Sequence, residues 1–201
     1  MTNFGYERHK AEIIQPSKPS RGPLPIAGSW WSDAGLTCDS ESTAPNSGVT
    51  RFIPLFIPCS VEATAIGGLC SSGANAASIW RIGIYSASTT TGLPDTLLAS
   101  VNLTYATVAF YSAAISYTFQ TGNYWWGWRA NDQSRASATK SAANSLYAGM
   151  FTPWLMPAGV DPSTGRTAYQ TSTDGNGNGL LVANPSVSVT GISQYPVFFI
   201  K

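Results

Sequence analysis

The sequence predicts an all-β domain, a jelly-roll-like antiparallel β-sandwich that carries an extended N-terminal arm. About seven to nine short apolar or aromatic runs recur along the chain. Clusters of Gly, Pro, Asn, Asp and Ser separate these runs, and only one short segment is suited to a helix. The 201 residues are enough for one hydrophobic core. We therefore divide the chain into an arm, residues 1–28, and a sandwich domain, residues 29–201.

The arm is rich in proline and poor in large apolar side chains after Ile14. Proline at this density blocks helices and sheet ladders and favours an extended polyproline II conformation. We expect a neighbouring subunit or a larger assembly to hold it, although an arm folded back on its own domain remains the alternative. The predicted docking residues combine the apolar groups of the arm with the first tryptophans of the domain: Phe4, Tyr6, Ile13, Ile14, Pro16, Trp30 and Trp31.

Strands are predicted wherever short apolar or alternating runs end at turn residues. The proline-containing run Arg51–Pro58 suits an edge strand or a strand end. In Ile79–Tyr85, alternation places Trp80, Ile82 and Ile84 on one face. The remaining predicted strands are Val61–Gly68, Leu97–Leu103, Val108–Phe119, Tyr124–Arg129, Leu180–Val182 and Val197–Ile200, with turns at Thr91–Asp95 and Asp174–Gly179 and a short helix near Ala142–Tyr147.

The charge pattern argues against a nucleic-acid or membrane partner. Charged residues make up 10% of the chain, the net charge is +1, and the basic residues of the domain are scattered singly. A nucleic-acid binder needs clustered Lys and Arg to neutralise phosphates. No apolar run approaches the ~20 residues of a membrane helix, and the N-terminus lacks a signal-peptide segment. We therefore expect synthesis in a cytoplasm and no membrane insertion.

The residue types that carry catalysis or bind metals form no recognisable motif. The single histidine, His9, lies in the arm, and the carboxylates of the domain are scattered. We predict no catalytic residue, no cofactor and no metal. The loop Asp174–Gly179 offers one carboxylate, where strong calcium sites use several, so a glycine-rich turn is favoured. The odd set of Cys38, Cys59 and Cys70 favours buried thiols, with a Cys59–Cys70 pair as the alternative.

The tryptophans and tyrosines are the candidate ligand-binding residues, because exposed aromatic rings stack on the apolar faces of sugars. In Tyr124–Arg129, alternation places Tyr124, Trp126 and Trp128 on one face and Trp125 with Gly127 on the other. One of these faces must belong to the core, so packing and ligand contact both remain open for each ring. The predicted glycan-binding residues are Trp128, Trp154 and Tyr124.

Five segments in order are similar to a recurrent bacteriophage structural domain found in tail-fibre and other virion proteins. They are Ser29-Trp30-Trp31, Phe52–Pro58, Trp80–Tyr85, Gly92–Leu98 and Thr121–Trp126. The middle segments are the most specific, a strand ending in Gly-Ile-Tyr followed by Gly-x-Pro and a Leu-Leu strand. The family often has glycine where Asp95 stands. Residues 1–28 fall outside the resemblance, and it brings no catalytic residues.

The resemblance implies a virion structural protein, a host-facing fibre or appendage component that the N-terminal arm docks to other virion proteins. Homo-oligomers, with a trimer favoured, are expected to give it avidity, and host-surface glycans are the candidate ligand. A capsid decoration (cement or head-fibre) protein is the first alternative, and a stand-alone carbohydrate-binding module is the second. The resemblance signals fold more than function.

Overall fold

The computed structural model describes residues 27–32, 42–43, 49–72, 78–131, 135–140, 168–171, 181, 183–190 and 194–201. Within these ranges the chain forms strands and turns, with no helix, so the predicted all-β class is confirmed. The helix predicted near Ala142–Tyr147, the turn Asp174–Gly179 and residues 1–26 of the arm lie outside the described ranges.

Twelve strands are formed in the described ranges. In chain order they are β1 (Ser42–Thr43), β2 (Arg51–Ile57), β3 (Val61–Ser72), β4 (Ile79–Ala87), β5 (Pro94–Thr104), β6 (Phe110–Phe119), β7 (Gly122–Ala130), β8 (Arg135–Lys140), β9 (Ala168–Thr171), β10 (Val187–Thr190), β11 (Gln194–Pro196) and β12 (Phe198–Ile200).

The strands make two antiparallel sheets. In the first sheet, β3 pairs with β6 along one edge and with β12 and β8 along the other, and β8 also pairs with β1 and β11. The second sheet has the order β10-β9-β2-β7-β4-β5. Four of its neighbouring strands, β2, β7, β4 and β5, coincide with the last four segments of the phage resemblance. Those four segments therefore lie on adjacent strands of one sheet.

The main core lies between the sheets and is aromatic at its centre. Trp80, Trp126 and Trp128 of the second sheet surround Phe198 of the first, with ring centroids between 5.4 and 6.3 Å apart. The predicted alternation in β4 is confirmed, because Trp80, Ile82 and Ile84 are all fully buried in this core. The fold is thus sandwich-like, with the inner faces of both sheets apolar.

Part of the outer face of the second sheet is also buried, which the alternation in β7 did not predict. A second cluster of Phe52, Tyr85 and Trp125 packs there, and the rings of Phe52 and Tyr85 lie 5.1 Å apart. The Trp125 indole donates a 2.9 Å hydrogen bond to the Gly92 carbonyl, which fixes the β4–β5 turn to this face. Both faces of the Tyr124–Arg129 run are therefore packed.

The prolines and cysteines of the first strands have clear structural positions. β9 pairs with β2 only at Arg51 and Phe52. At Pro54, β7 is therefore the only described strand that pairs with β2, so the missing N–H of the proline can face the unpaired side.

Cys59 precedes β3, whereas Cys70 is buried near the other end of β3. A strand rises about 3.3 Å per residue and a disulfide needs Cα atoms within about 7 Å. The alternative of a Cys59–Cys70 disulfide is therefore wrong.

Candidate functional site

Trp128 lies on β7 inside the inter-sheet core, and none of its surface is exposed. Its ring faces Phe198, with a centroid distance of 6.1 Å. A sugar stacks only on a ring face that solvent can reach. The structure therefore places this predicted glycan-binding residue in the core, where it holds the two sheets together.

Tyr124 is half-buried at the start of the same face. Its ring packs edge-on against Phe119 at 5.5 Å, and its hydroxyl donates a 3.0 Å hydrogen bond to the Gln120 carbonyl. Burial raises the pKa of the Tyr124 hydroxyl. These contacts make it a residue that closes the β6–β7 turn. Trp154 lies outside the described residues, and its role in glycan binding stays a prediction.

The two tryptophans at the arm boundary have opposite environments. Trp31 is buried and pairs with Ile200 through two backbone hydrogen bonds of 2.8 Å, one in each direction. Trp30 points the other way and keeps 37% of its surface exposed. The chain is thus fixed to the edge of the first sheet at Trp31. The other predicted docking residues, from Phe4 to Pro16, lie outside the described ranges.

Trp30 joins an exposed apolar patch on the outer face of the first sheet. Its ring lies 4.9 Å from that of Phe110, which in turn lies 5.7 Å from that of Phe199. Phe110 is 41% exposed and its neighbour Leu69 is 39% exposed. The Lys201 ammonium lies 5.9 Å from the centroid of the Trp30 ring, within cation–π range. We call this group of five residues the aromatic patch.

A glycine lets the patch lie flat on the sheet. A Cβ atom at Gly67 would come within 2.5 Å of the Phe110 ring, so the ring occupies the space that a side chain would need. The sequence prediction included Trp30 but missed Phe110, Phe199 and Leu69. The alternation in β6 and β12 could have identified the outward phenylalanines, but their closeness depends on pairings across β3.

A cavity of about 360 Å³ opens beside the patch, between residues 27–31 and the end of β12. Its lining includes Ser29, Trp31, Glu62 and Lys201. The Lys201 backbone is fixed there, because its N–H donates to the Ala65 carbonyl at 3.0 Å and its carbonyl accepts from the Thr64 N–H at 2.6 Å. The arm boundary, the last strand and the aromatic patch thus form one continuous surface.

The acidic side chains in the described part of the chain are Glu62 and Asp95, and they lie on different sheets. Among the described residues, no group of three or more His, Cys, Asp or Glu side chains converges on a point that could hold a metal ion. Nor do these residues include a helix that is long and apolar enough to span a bilayer.

Comparison with protein-family models finds no match for the chain. A search of curated proteins likewise finds no relative.

Proposed function

We propose that the chain is a non-enzymatic bacteriophage virion protein, a fibre or appendage component whose arm and aromatic patch attach it to neighbouring subunits. The sequence resemblance supplies the phage context. The observation that carries the assembly role is the exposed patch of Trp30, Phe110, Phe199 and Leu69 at the place where the arm joins the sheet. We further propose that the two sheets form a jelly-roll-like sandwich and that residues 1–28 act as the docking arm.

The chemistry of the patch favours a protein surface as its occupant. Leu69, Phe110 and Phe199 offer no hydrogen-bonding group in their side chains, whereas sugar recognition combines ring stacking with several polar contacts. Contiguous exposed apolar side chains with a polar rim are typical of subunit contacts. We commit to a second copy of this chain as the occupant, because a homo-oligomer buries the same patch on each copy and directs the arms together.

The experiment uses phage whose own gene for this chain is deleted and cells that express the wild-type chain or a variant from a plasmid. The number of copies of the chain per purified particle is then compared. Phe110→Ser should reduce the copies per purified particle at least tenfold, because it removes the central ring of the patch. Ser116→Ala is the matched control, since Ser116 is exposed on the same strand and face. Thermal unfolding of both variants checks that each remains folded.

The outcomes separate the parts of the proposal. Absence of the wild-type chain from purified particles would contradict a virion role. Presence of the chain with equal copy numbers for Phe110→Ser and Ser116→Ala would remove the patch from assembly. Cryo-EM then locates the copies, and a regular lattice over the head would identify a decoration protein instead of a fibre. Retention on immobilised glycans that Trp30→Ala abolishes would assign the patch to sugars.

A further inference from the structure

Two arginines stand side by side on the outer face of the second sheet. Arg81 of β4 and Arg129 of β7 are direct partners across the strand pair, and Asn102 of β5 is the partner of Arg81 on its other side. The neighbours of these residues along each strand, such as Trp80 and Trp128, point into the core. Arg129, Arg81 and Asn102 therefore form a row across three strands, which we call the arginine row.

The arginine row is partly withdrawn from solvent, because Arg129 is fully buried and Arg81 is half-buried. Arg129 has no exposed surface, and the Nε and Nη1 atoms of Arg81 are buried and donate no hydrogen bond. Burial lowers the pKa of Arg81, and the positive charge of Arg129 lowers it further. The buried Nε–H and Nη1–H groups of Arg81 are costly without acceptors. An anion beside Arg81 would offset this cost.

A cavity of about 210 Å³ opens beside Arg81, lined also by Leu97, Ser100, Asn102 and Leu181. Its volume far exceeds the roughly 15 Å³ that a single water needs. Leu97 and Leu181 form its wall because they occupy the space above Gly83, where a Cβ atom would lie 2.7 Å from each leucine. The cavity thus has an apolar wall, an amide and hydroxyl rim, and a cationic end.

The acidic side chains of the described residues do not occupy this place. Glu62 lies on the first sheet. Asp95 is at the start of β5, seven residues before Asn102, which corresponds to about 20 Å along a strand. The buried donors of Arg81 and the empty volume beside them therefore point to an acceptor that the described side chains do not supply.

We propose that the arginine row binds an oxyanion group, a carboxylate, phosphate or sulfate, with Arg81 donating to it and Asn102 closing the rim. The planar guanidinium of Arg81 matches such groups with two parallel N–H donors. This site is on the opposite sheet from the aromatic patch, so it does not depend on the proposed virion role.

The test measures binding of three probes to the full chain, inorganic phosphate, sulfate and acetate, each exchanged against chloride at constant ionic strength. Thermal unfolding should show a rise in Tm of about 3–5 °C at a concentration tenfold above Kd, and above Kd the rise should grow with the logarithm of the anion concentration. The NMR signal of the Arg81 Nε–H should shift along a saturation curve, and this curve gives Kd. The probe with the lowest Kd distinguishes a carboxylate ligand from a phosphate or sulfate ligand.

Variants decide whether the arginine row is responsible. Arg81→Gln should abolish the rise in Tm that the anion causes, and Arg81→Lys should weaken binding at least tenfold because it keeps the charge and loses the paired donors. Arg51→Gln is the matched control, since Arg51 also has a buried Nε without a hydrogen bond but does not line the cavity. In chloride, Arg81→Gln should unfold at an equal or higher temperature because it removes a like charge beside Arg129.

Two results would overturn the proposal. One is an Arg81 Nε–H shift that fails to saturate with any of the three anions, which would be an ionic effect only. The other is an equal response in Arg81→Gln and the wild type. If Arg81→Gln does not fold, the Nε–H titration of the wild type and the Arg81→Lys affinity still decide the outcome.

Discussion

Gly127 shows how one missing side chain sets the packing of a sheet face. A Cβ atom there would lie 2.5 Å from the Tyr85 ring and 3.0 Å from the Phe52 ring. Gly127→Ala should lower the free energy of unfolding by about 1–3 kcal/mol, because both rings must move. Gly122→Ala in the same strand is the control, since its Cβ would meet only an ordinary 3.8 Å contact with Tyr124. Urea unfolding of the two variants measures the difference, and equal stabilities would contradict the packing argument.

Tyr105 carries a buried hydroxyl that makes no hydrogen bond. Burial raises its pKa well above the ordinary value of a tyrosine, and the neighbouring Cys70 raises it further. The folded chain therefore holds this proton more tightly than the unfolded chain does. Stability should be unaffected below about pH 10 and should fall by up to about 1.4 kcal/mol per pH unit above it, as the unfolded tyrosine ionises.

The Tyr105→Phe variant tests this account. Its free energy of unfolding at pH 7 should match or exceed that of the wild type, and its loss of stability above pH 10 should be less steep. Tyr111→Phe is the contrast, because the Tyr111 hydroxyl accepts a 2.8 Å hydrogen bond from the Thr107 N–H, and its loss should cost about 1 kcal/mol at pH 7. Urea unfolding of each variant and of the wild type at pH 7 and pH 11 gives the free energy of unfolding at pH 7 and its loss at high pH. A destabilised Tyr105→Phe at pH 7 would show that its hydroxyl has a partner.

Single residues were predictable from the sequence only where alternation alone decides their face. Trp80 and Ile82 were placed correctly, because period-two alternation separates core from surface in one strand. The arginine row was not predictable, since Arg81 and Arg129 are 48 positions apart and meet only through the register of β4 with β7. Trp128 was ambiguous for a related reason, because both faces of β7 are packed.

At the scale of elements, β12 is short but central to the core. Phe198 packs among the rings of Trp80, Trp126 and Trp128, whereas the next residue, Phe199, points outward into the aromatic patch. Phe198→Ala should lower the free energy of unfolding by about 3–5 kcal/mol through the cavity it leaves, and Phe199→Ala by about 1 kcal/mol or less. Chemical denaturation of both variants measures the two losses in the free energy of unfolding. Similar losses would mean that β12 does not alternate between core and surface.

The predictability of the elements follows their side-chain patterns. The long strands β2 to β7 were predicted, with bounds that differ by a few residues, because each carries apolar alternation between turn residues. β8, with the sequence Arg-Ala-Ser-Ala-Thr-Lys, lacks such a pattern and was missed. It is a strand because it pairs with β3, β1 and β11, which are distant in sequence. The predicted strand around Leu181 is not a strand at that residue, which instead covers Gly83.

At the scale of the whole molecule, the low charge content is consistent with two sheets that bury residues on more than one face. The second sheet packs its inner face on the core and part of its outer face on a second aromatic cluster. The first sheet leaves the aromatic patch uncovered by the described residues. The two proposed sites thus occupy different sheets, and variants in one should leave the other unchanged.

The boundary between arm and sandwich gives the last prediction. A chain lacking residues 1–26 keeps the Trp31–Ile200 pairing, so it should unfold within about 2 °C of the full chain. A chain lacking residues 1–32 loses a buried indole and two backbone hydrogen bonds to β12, and its Tm should fall by about 5 °C or more. Calorimetry of the three proteins measures both shifts. If removal of residues 1–26 alone destabilises the sandwich, the arm folds back on its own domain, and attachment to a neighbour must then rest on the aromatic patch.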